Sequence, residues 1–98
     1  MPLYMLATRI DFDQDDLAKR KEQGKKWLQL VKEKVPGIKW IAHYAILGPY
    51  DFIDIFEAKD ETEAAKVSLL SRAAGATFAE SWTAIPYADF LHLLDDLK

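Results

Sequence analysis

The chain contains no cysteine, which excludes disulfide bonds, thiolate nucleophiles and every zinc or iron–sulfur site built on Cys ligands. Glycine and proline are scarce, four of each in 98 residues, so each one marks a specific turn or helix end. There is no excess of positive charge: 13 Lys and Arg stand against 16 Asp and Glu, a formal charge of -3. With the signs interspersed, nucleic acid is not an expected partner. No apolar run approaches membrane-spanning length, and Met1-Pro2-Leu3-Tyr4 is not followed by a secretory pattern. The sequence therefore reads as a soluble, unexported cytoplasmic protein that does not bind membranes. Also missing are Gly-x-Gly-x-x-Gly, the phosphate-loop Gly-Lys-Ser/Thr, His-Glu-x-x-His and Gly-x-Ser-x-Gly, which argues against nucleotide hydrolysis, zinc proteolysis and common serine hydrolysis. No cofactor is expected.

What the chain does have is apolar content: half of its residues are hydrophobic, enough for one core in a single domain spanning residues 1–98 but little more. The segment Leu47-Gly48-Pro49-Tyr50-Asp51 joins two runs of strand composition, Ile38 to Leu47 and Phe52 to Ala58, and reads as a hairpin turn. A first strand is expected at Leu3 to Ile10. The acidic cluster Asp11, Asp13, Asp15 and Asp16 follows, suited to a helix start rather than a metal site. Leu17, Gly24, Trp27, Leu28, Val31 and Val35 recur with a helical period, ending before Pro36-Gly37. Gly24 on that stripe suggests a close approach of helix to sheet.

Asp60-Glu61-Thr62-Glu63 predicts a capped start for a second helix, and Gly75 is placed to end it in the left-handed conformation. Thr77 to Ile85 reads as a fourth strand. Pro86 then opens a third helix carrying Tyr87, Phe90, Leu91 and Leu94. The order βαββαβ plus a terminal helix implies an α+β, ferredoxin-like fold: two helices on one face of a four-stranded antiparallel sheet.

If Gly48 and Asp51 close a two-residue turn, Leu47 lies opposite Phe52, Ala45 opposite Asp54 and His43 opposite Phe56. His43 and Asp54 then share a face. Trp40, Ala42, Tyr44, Ile46, Ile53 and Ile55 make the other face uniformly apolar, which assigns it to the helices. In the last strand the small residues Ala79, Ser81 and Thr83 suit helix packing. The open face would thus carry His43, Asp54, Leu47, Phe52, Phe56, Phe78, Glu80 and Trp82. So apolar a face requires a cover, and a second copy of the chain, sheet against sheet, would supply it.

Gly48-Pro49-Tyr50-Asp51, followed by Phe52-Ile53-Asp54-Ile55-Phe56-Glu57-Ala58 and Asp60, resembles the defining stretch of the GYD domain family, named for its Gly-x-Tyr-Asp turn. Gly48, Tyr50 and Asp51 are the motif residues. Tyr44, the helix end at Gly75, the polar fourth strand and Phe90 extend the resemblance over nearly the whole chain. It implies a dimeric α/β barrel in which two ferredoxin-like sheets face each other. It brings no established reaction or catalytic residues. Asp54 departs from the family pattern, where an aliphatic residue is usual.

His43, Asp54 and Glu80 are the candidate polar groups of a sheet-to-sheet cavity, since a carboxylate that orients an imidazole is a general-base arrangement. The simpler reading is that they satisfy each other. Phe52, Phe56, Phe78 and Trp82, with Trp40, could stack a planar ligand, though core packing is the plainer role. Asp51 is expected to bond backbone N–H groups of its own turn, Tyr50 to pack over the sheet end, Arg9 to pair with an acid, and His92 to sit at the surface. The leading expectation is a homodimeric module binding a small apolar or aromatic molecule. The alternatives are a cofactor-free monooxygenase-like or isomerase-like enzyme, by fold analogy alone, and a purely structural dimer.

Overall fold

In the computed structural model, which describes residues 1–10 and 17–98, β1 (Leu3–Ile10), β2 (Lys39–Ala45), β3 (Phe52–Glu57) and β4 (Ala76–Ala84) form the sheet, with α1 (Leu17–Lys34), α2 (Glu61–Ala73) and α3 (Tyr87–Asp96) completing the chain. The strand order is β2-β3-β1-β4, and every pairing is antiparallel. The ferredoxin-like expectation therefore holds. The acidic cluster Asp11, Asp13, Asp15 and Asp16 lies outside the described residues.

Local chemistry sets the element ends as the sequence implies. Asp60 accepts a hydrogen bond from the Glu63 N–H at 2.9 Å, and Glu63 reaches back to accept from the Lys59 N–H at 3.1 Å. The first bond satisfies a donor that the first turn of α2 leaves without a helical partner, and the second ties the residue before the cap to the helix. At the other end Gly75 takes φ +110°, a conformation that costs an L-residue about 1–2 kcal/mol.

The core lies between the sheet and the two helices. Tyr4, Leu6, Val31, Phe56, Ala64, Val67 and Ala79 are buried together, with Trp27 and Trp40 against them. Phe56 is fully buried, stacked on Tyr4 with ring centroids 5.6 Å apart and edge-on to Trp40 at 5.5 Å. In β4 the small side chains of Ala79 and Ser81 let α2 come close, and Ser81 Oγ lies 2.6 Å from Ser68 Oγ. This agrees with the expected placing of Phe78, Glu80 and Trp82 on the opposite face.

The hairpin faces are the reverse of the expectation. Phe52, Asp54 and Phe56 point toward the helices, whereas Ala42, Tyr44, Ile53 and Ile55 take the open face, continuous with Met5, Phe78 and Trp82 through the pairs Met5–Ile55, Met5–Trp82 and Tyr44–Ile53. Both faces of β2 and β3 are apolar, so alternation alone does not say which is inside. Trp40 is inside as expected, but for another reason: a bulge between Trp40 and Ala42 puts Trp40 and His43 on the same side. The turn is also wider than two residues. Ala45 pairs with Phe52, and the Ile46 N–H donates to the Asp51 carbonyl at 2.8 Å. The register moves by two residues, which preserves parity and sets His43 directly opposite Asp54.

Gly24 does not mark a close approach. A Cβ there would meet nothing within 4 Å, because α1 packs on α2 and reaches the sheet through side chains, Trp27 against Trp40 at 5.3 Å. Gly24→Ala is expected to stabilise the protein by about 1 kcal/mol, whereas Gly75→Ala should destabilise it by about 1–2 kcal/mol. Thermal unfolding of the two variants checks both signs.

Candidate functional site

The lifted position of α1 leaves a cavity of about 440 Å³ between that helix and the sheet. Its floor comes from Thr8, Ile10, His43, Phe52 and Asp54, its roof from Gly24, Trp27 and Leu28 with Arg20, Lys21 and Gln23 beside them on α1, and one wall from Ser71 and Ala74 at the end of α2 and Ala76 at the start of β4. Trp27 holds the roof in place: its indole N–H donates to Ser71 Oγ at 2.8 Å, and Ser71 in turn donates to the Val67 carbonyl at 2.8 Å.

Asp54 is the distinctive group of this floor. Its residue is 5% exposed, and Oδ1 lies 2.7 Å from His43 Nδ1. Burial pushes the carboxyl above its ordinary value of 3.8, and the hydrogen bond and charge of His43 pull it part of the way back. A buried carboxylate with one side-chain partner among the described residues is unusual in so apolar a setting. His43 is half-exposed, and its ring rests on Trp40 with centroids 4.8 Å apart. When neutral, a His43 that donates through Nδ1 keeps Nε2 as an acceptor, so the pair can hold or relay a proton at the cavity edge.

The raised carboxyl has a defined consequence. The folded protein retains the Asp54 proton to higher pH than the unfolded chain does. Between 3.8 and the higher folded value, stability from this group therefore falls as pH rises. Asp54→Asn lacks that dependence, so its stability relative to the parent should increase with pH across this window. Thermal melts at a series of pH values check the sign, and a relative stability that decreases with pH would refute the account.

The six cavity candidates thus divide. His43, Asp54 and Phe52 line the space beneath α1 and Phe56 belongs to the core, whereas Glu80 and Trp82 lie on the opposite side of the sheet, where the Trp82 indole N–H reaches Glu80 Oε2 at 3.5 Å. The sheet separates the two groups, so no single cavity on one face holds them all. Trp27, Leu28 and Thr8 were missed as lining residues. The available signal was Gly24 one helical turn from Trp27 and Leu28, read as contact when it marks open space.

The turn residues act across the sheet rather than within the turn. Asp51 Oδ2 accepts from the Ile10 N–H at 2.8 Å, and the Asp51 N–H donates to the Thr8 carbonyl at 2.9 Å. These bonds tie the turn to β1 beside the point where its pairing with β4 shifts, between Arg9 and Ile10. Tyr50 stacks on Phe78 at 5.6 Å and meets Trp82 edge-on at 5.3 Å, and the Arg9 guanidinium lies 5.3 Å from the Tyr50 ring centroid and 5.4 Å from that of Phe78. Arg9 is thus placed over aromatic rings, a cation–π arrangement, in place of the expected acid pair. Gly48 has neither a positive φ nor a crowding neighbour. His92 is exposed on α3 as expected.

Sheet order, α1 and α2 on one face, and a turn whose acid bonds β1 while its aromatic ring packs on β4 define a ferredoxin-like α+β domain with a Gly-x-Tyr-Asp hairpin. The GYD domain family matches residues 5–94, and the chain belongs to that family. It is 35% identical over 92 residues to the glutamine synthetase and cystathionine beta-lyase binding protein of Thermus thermophilus, a match covering 93% of this chain and 96% of the relative. Two crystal structures share the fold. One is of an FFRP, with TM-score 0.57 and 17% identity over 87% of this chain and 100% of that one. The other is TTHA0845 of Thermus thermophilus, with TM-score 0.52 and 19% identity over 88% of this chain and 95% of that one.

Proposed function

We propose that this chain is a small homodimeric binding protein that works through contacts with other proteins. The observation that carries the reading is α3. It buries none of its residues and, among the described residues, packs against no other element. Yet Tyr87, Phe90, Leu91 and Leu94 recur along one side of it, and all are substantially exposed. An amphipathic helix without a partner among the described residues of its own chain gains its packing energy from another chain. The second apolar surface is the open sheet face, where Tyr44, Ile53, Ile55, Phe78 and Trp82 cluster with none of the described helices above them. A second copy laid face to face covers it with two-fold symmetry. The relative named for binding glutamine synthetase and cystathionine beta-lyase supports enzymes as the partners of α3.

Light scattering on the purified chain is expected to give about twice its 11.2 kDa mass. Immobilised protein is expected to capture purified glutamine synthetase or cystathionine beta-lyase from the same organism, and Phe90→Asp/Leu91→Asp should lose that capture while leaving the fold intact. A monomer would overturn the dimer, and failure to capture either enzyme would overturn the choice of partner.

A second reading, cofactor-free general-base catalysis, draws on the His43–Asp54 pair beside the cavity. It requires turnover of a substrate that His43→Gln abolishes without lowering the melting temperature.

A further inference from the structure

Besides the surfaces offered to proteins, the space beneath α1 has the attributes of a small-molecule site. Its 440 Å³ falls within the range of ligand pockets, which combine mostly apolar walls with a few polar groups. Trp27 offers aromatic surface from the roof, Arg20, Lys21 and Gln23 border the space from α1, and Asp54 brings a single buried carboxylate to its floor. A carboxylate accepts hydrogen bonds at both oxygens. Oδ1 lies against His43, and no other described side chain bonds the group. An acceptor in an apolar cavity selects for a ligand donor, since an occupant without one would strip water from the carboxylate and return nothing.

We propose that the cavity beneath α1 binds a small apolar, preferably aromatic, molecule bearing one N–H or O–H donor. Its ring lies against Trp27 and its donor rests on the Asp54 carboxylate. Ligand entry does not involve the open sheet face, so this site and the proposed dimer contact are on opposite sides of the sheet. That separation places the ligand next to α1 and the end of α2.

The test uses three probes of similar size on the full-length protein: phenethyl alcohol, phenethylamine and ethylbenzene, followed by ¹H–¹⁵N NMR. The alcohol or the amine is expected to shift the Trp27 indole and the Gly24 and Leu28 amides. Ethylbenzene should bind at least about tenfold more weakly, the equivalent of roughly 1.4 kcal/mol. A preference for the amine would identify an ionic head, and a preference for the alcohol a neutral one. Asp54→Leu should remove or reverse the discrimination against ethylbenzene. Gly24→Leu is expected to keep the fold, since a side chain there begins in open space and leucine is the better helix former, while it fills the cavity and abolishes binding of all three. Equal affinity for ethylbenzene and the alcohol, shifts confined to open-face residues such as Ile55 and Trp82, or no shifts up to the probes' solubility limits would overturn the proposal.

Discussion

Replacing Phe56 with alanine is expected to destabilise the protein by about 3–5 kcal/mol, the usual cost of removing a buried aromatic ring. Phe56 is fully buried and touches rings from two other strands, Tyr4 on β1 and Trp40 on β2. Of the two rings that touch it, Trp40 is itself held against Trp27, which limits how far the void can close. A domain of this size has a stability of only about 5–15 kcal/mol, so the variant should melt far below the parent or fail to fold. Chemical denaturation checks it. A loss under 1 kcal/mol would mean that Phe56 is on the open face after all.

The neighbouring residue should behave in the opposite way. Ile55 points to the open face, between Met5 of β1 and Ala42 of β2. Ile55→Asp leaves the helix-side core untouched and costs the monomer no more than the strand preference of the side chain, about 1 kcal/mol. In the proposed dimer it would bury two uncompensated carboxylates, one from each copy. One such charge typically costs about 3–5 kcal/mol, so association should weaken by a hundredfold or more. Sedimentation or light scattering across a dilution series reads the effect. A dimer that survives Ile55→Asp but is lost on deleting residues 87–98 would place the contact on α3 instead of the sheet. Together Phe56→Ala and Ile55→Asp separate folding from association at adjacent positions.

Much of this architecture is legible in the residues themselves. The turn formers Gly48-Pro49 separate two strand-like runs, Asp60 and Glu63 carry the donors and acceptors of a helix start, and Gly75 supplies a conformation other residues resist. Each of these is a local interaction within a few positions along the chain, so local chemistry suffices to read it. Parity between His43 and Asp54 is legible for the same reason: strand side chains alternate strictly, and moving the hairpin register by two residues does not change which positions share a face.

Which face is inside was not legible, since β2 and β3 are apolar on both sides and the bulge at Trp40–Ala42 breaks simple alternation. Only the ladder joining β3 to β1, and β1 to the small-residue strand β4, fixes it. Once Ala79 and Ser81 sit beneath α2, the pairs Leu6–Ser81 and Leu6–Asp54 carry that choice across the sheet and bring Asp54 inside. The cavity has the same origin. No pattern within α1 states how far the helix stands from the sheet; the bulk of Trp27 against Trp40 and its bond to Ser71, 44 positions away, decide it. The sequence by itself determined the elements, their order and the family, because these follow from short-range preferences. The tertiary structure alone decided the buried face, the burial of Asp54 and the space beneath α1, because these depend on contacts between residues distant in the chain.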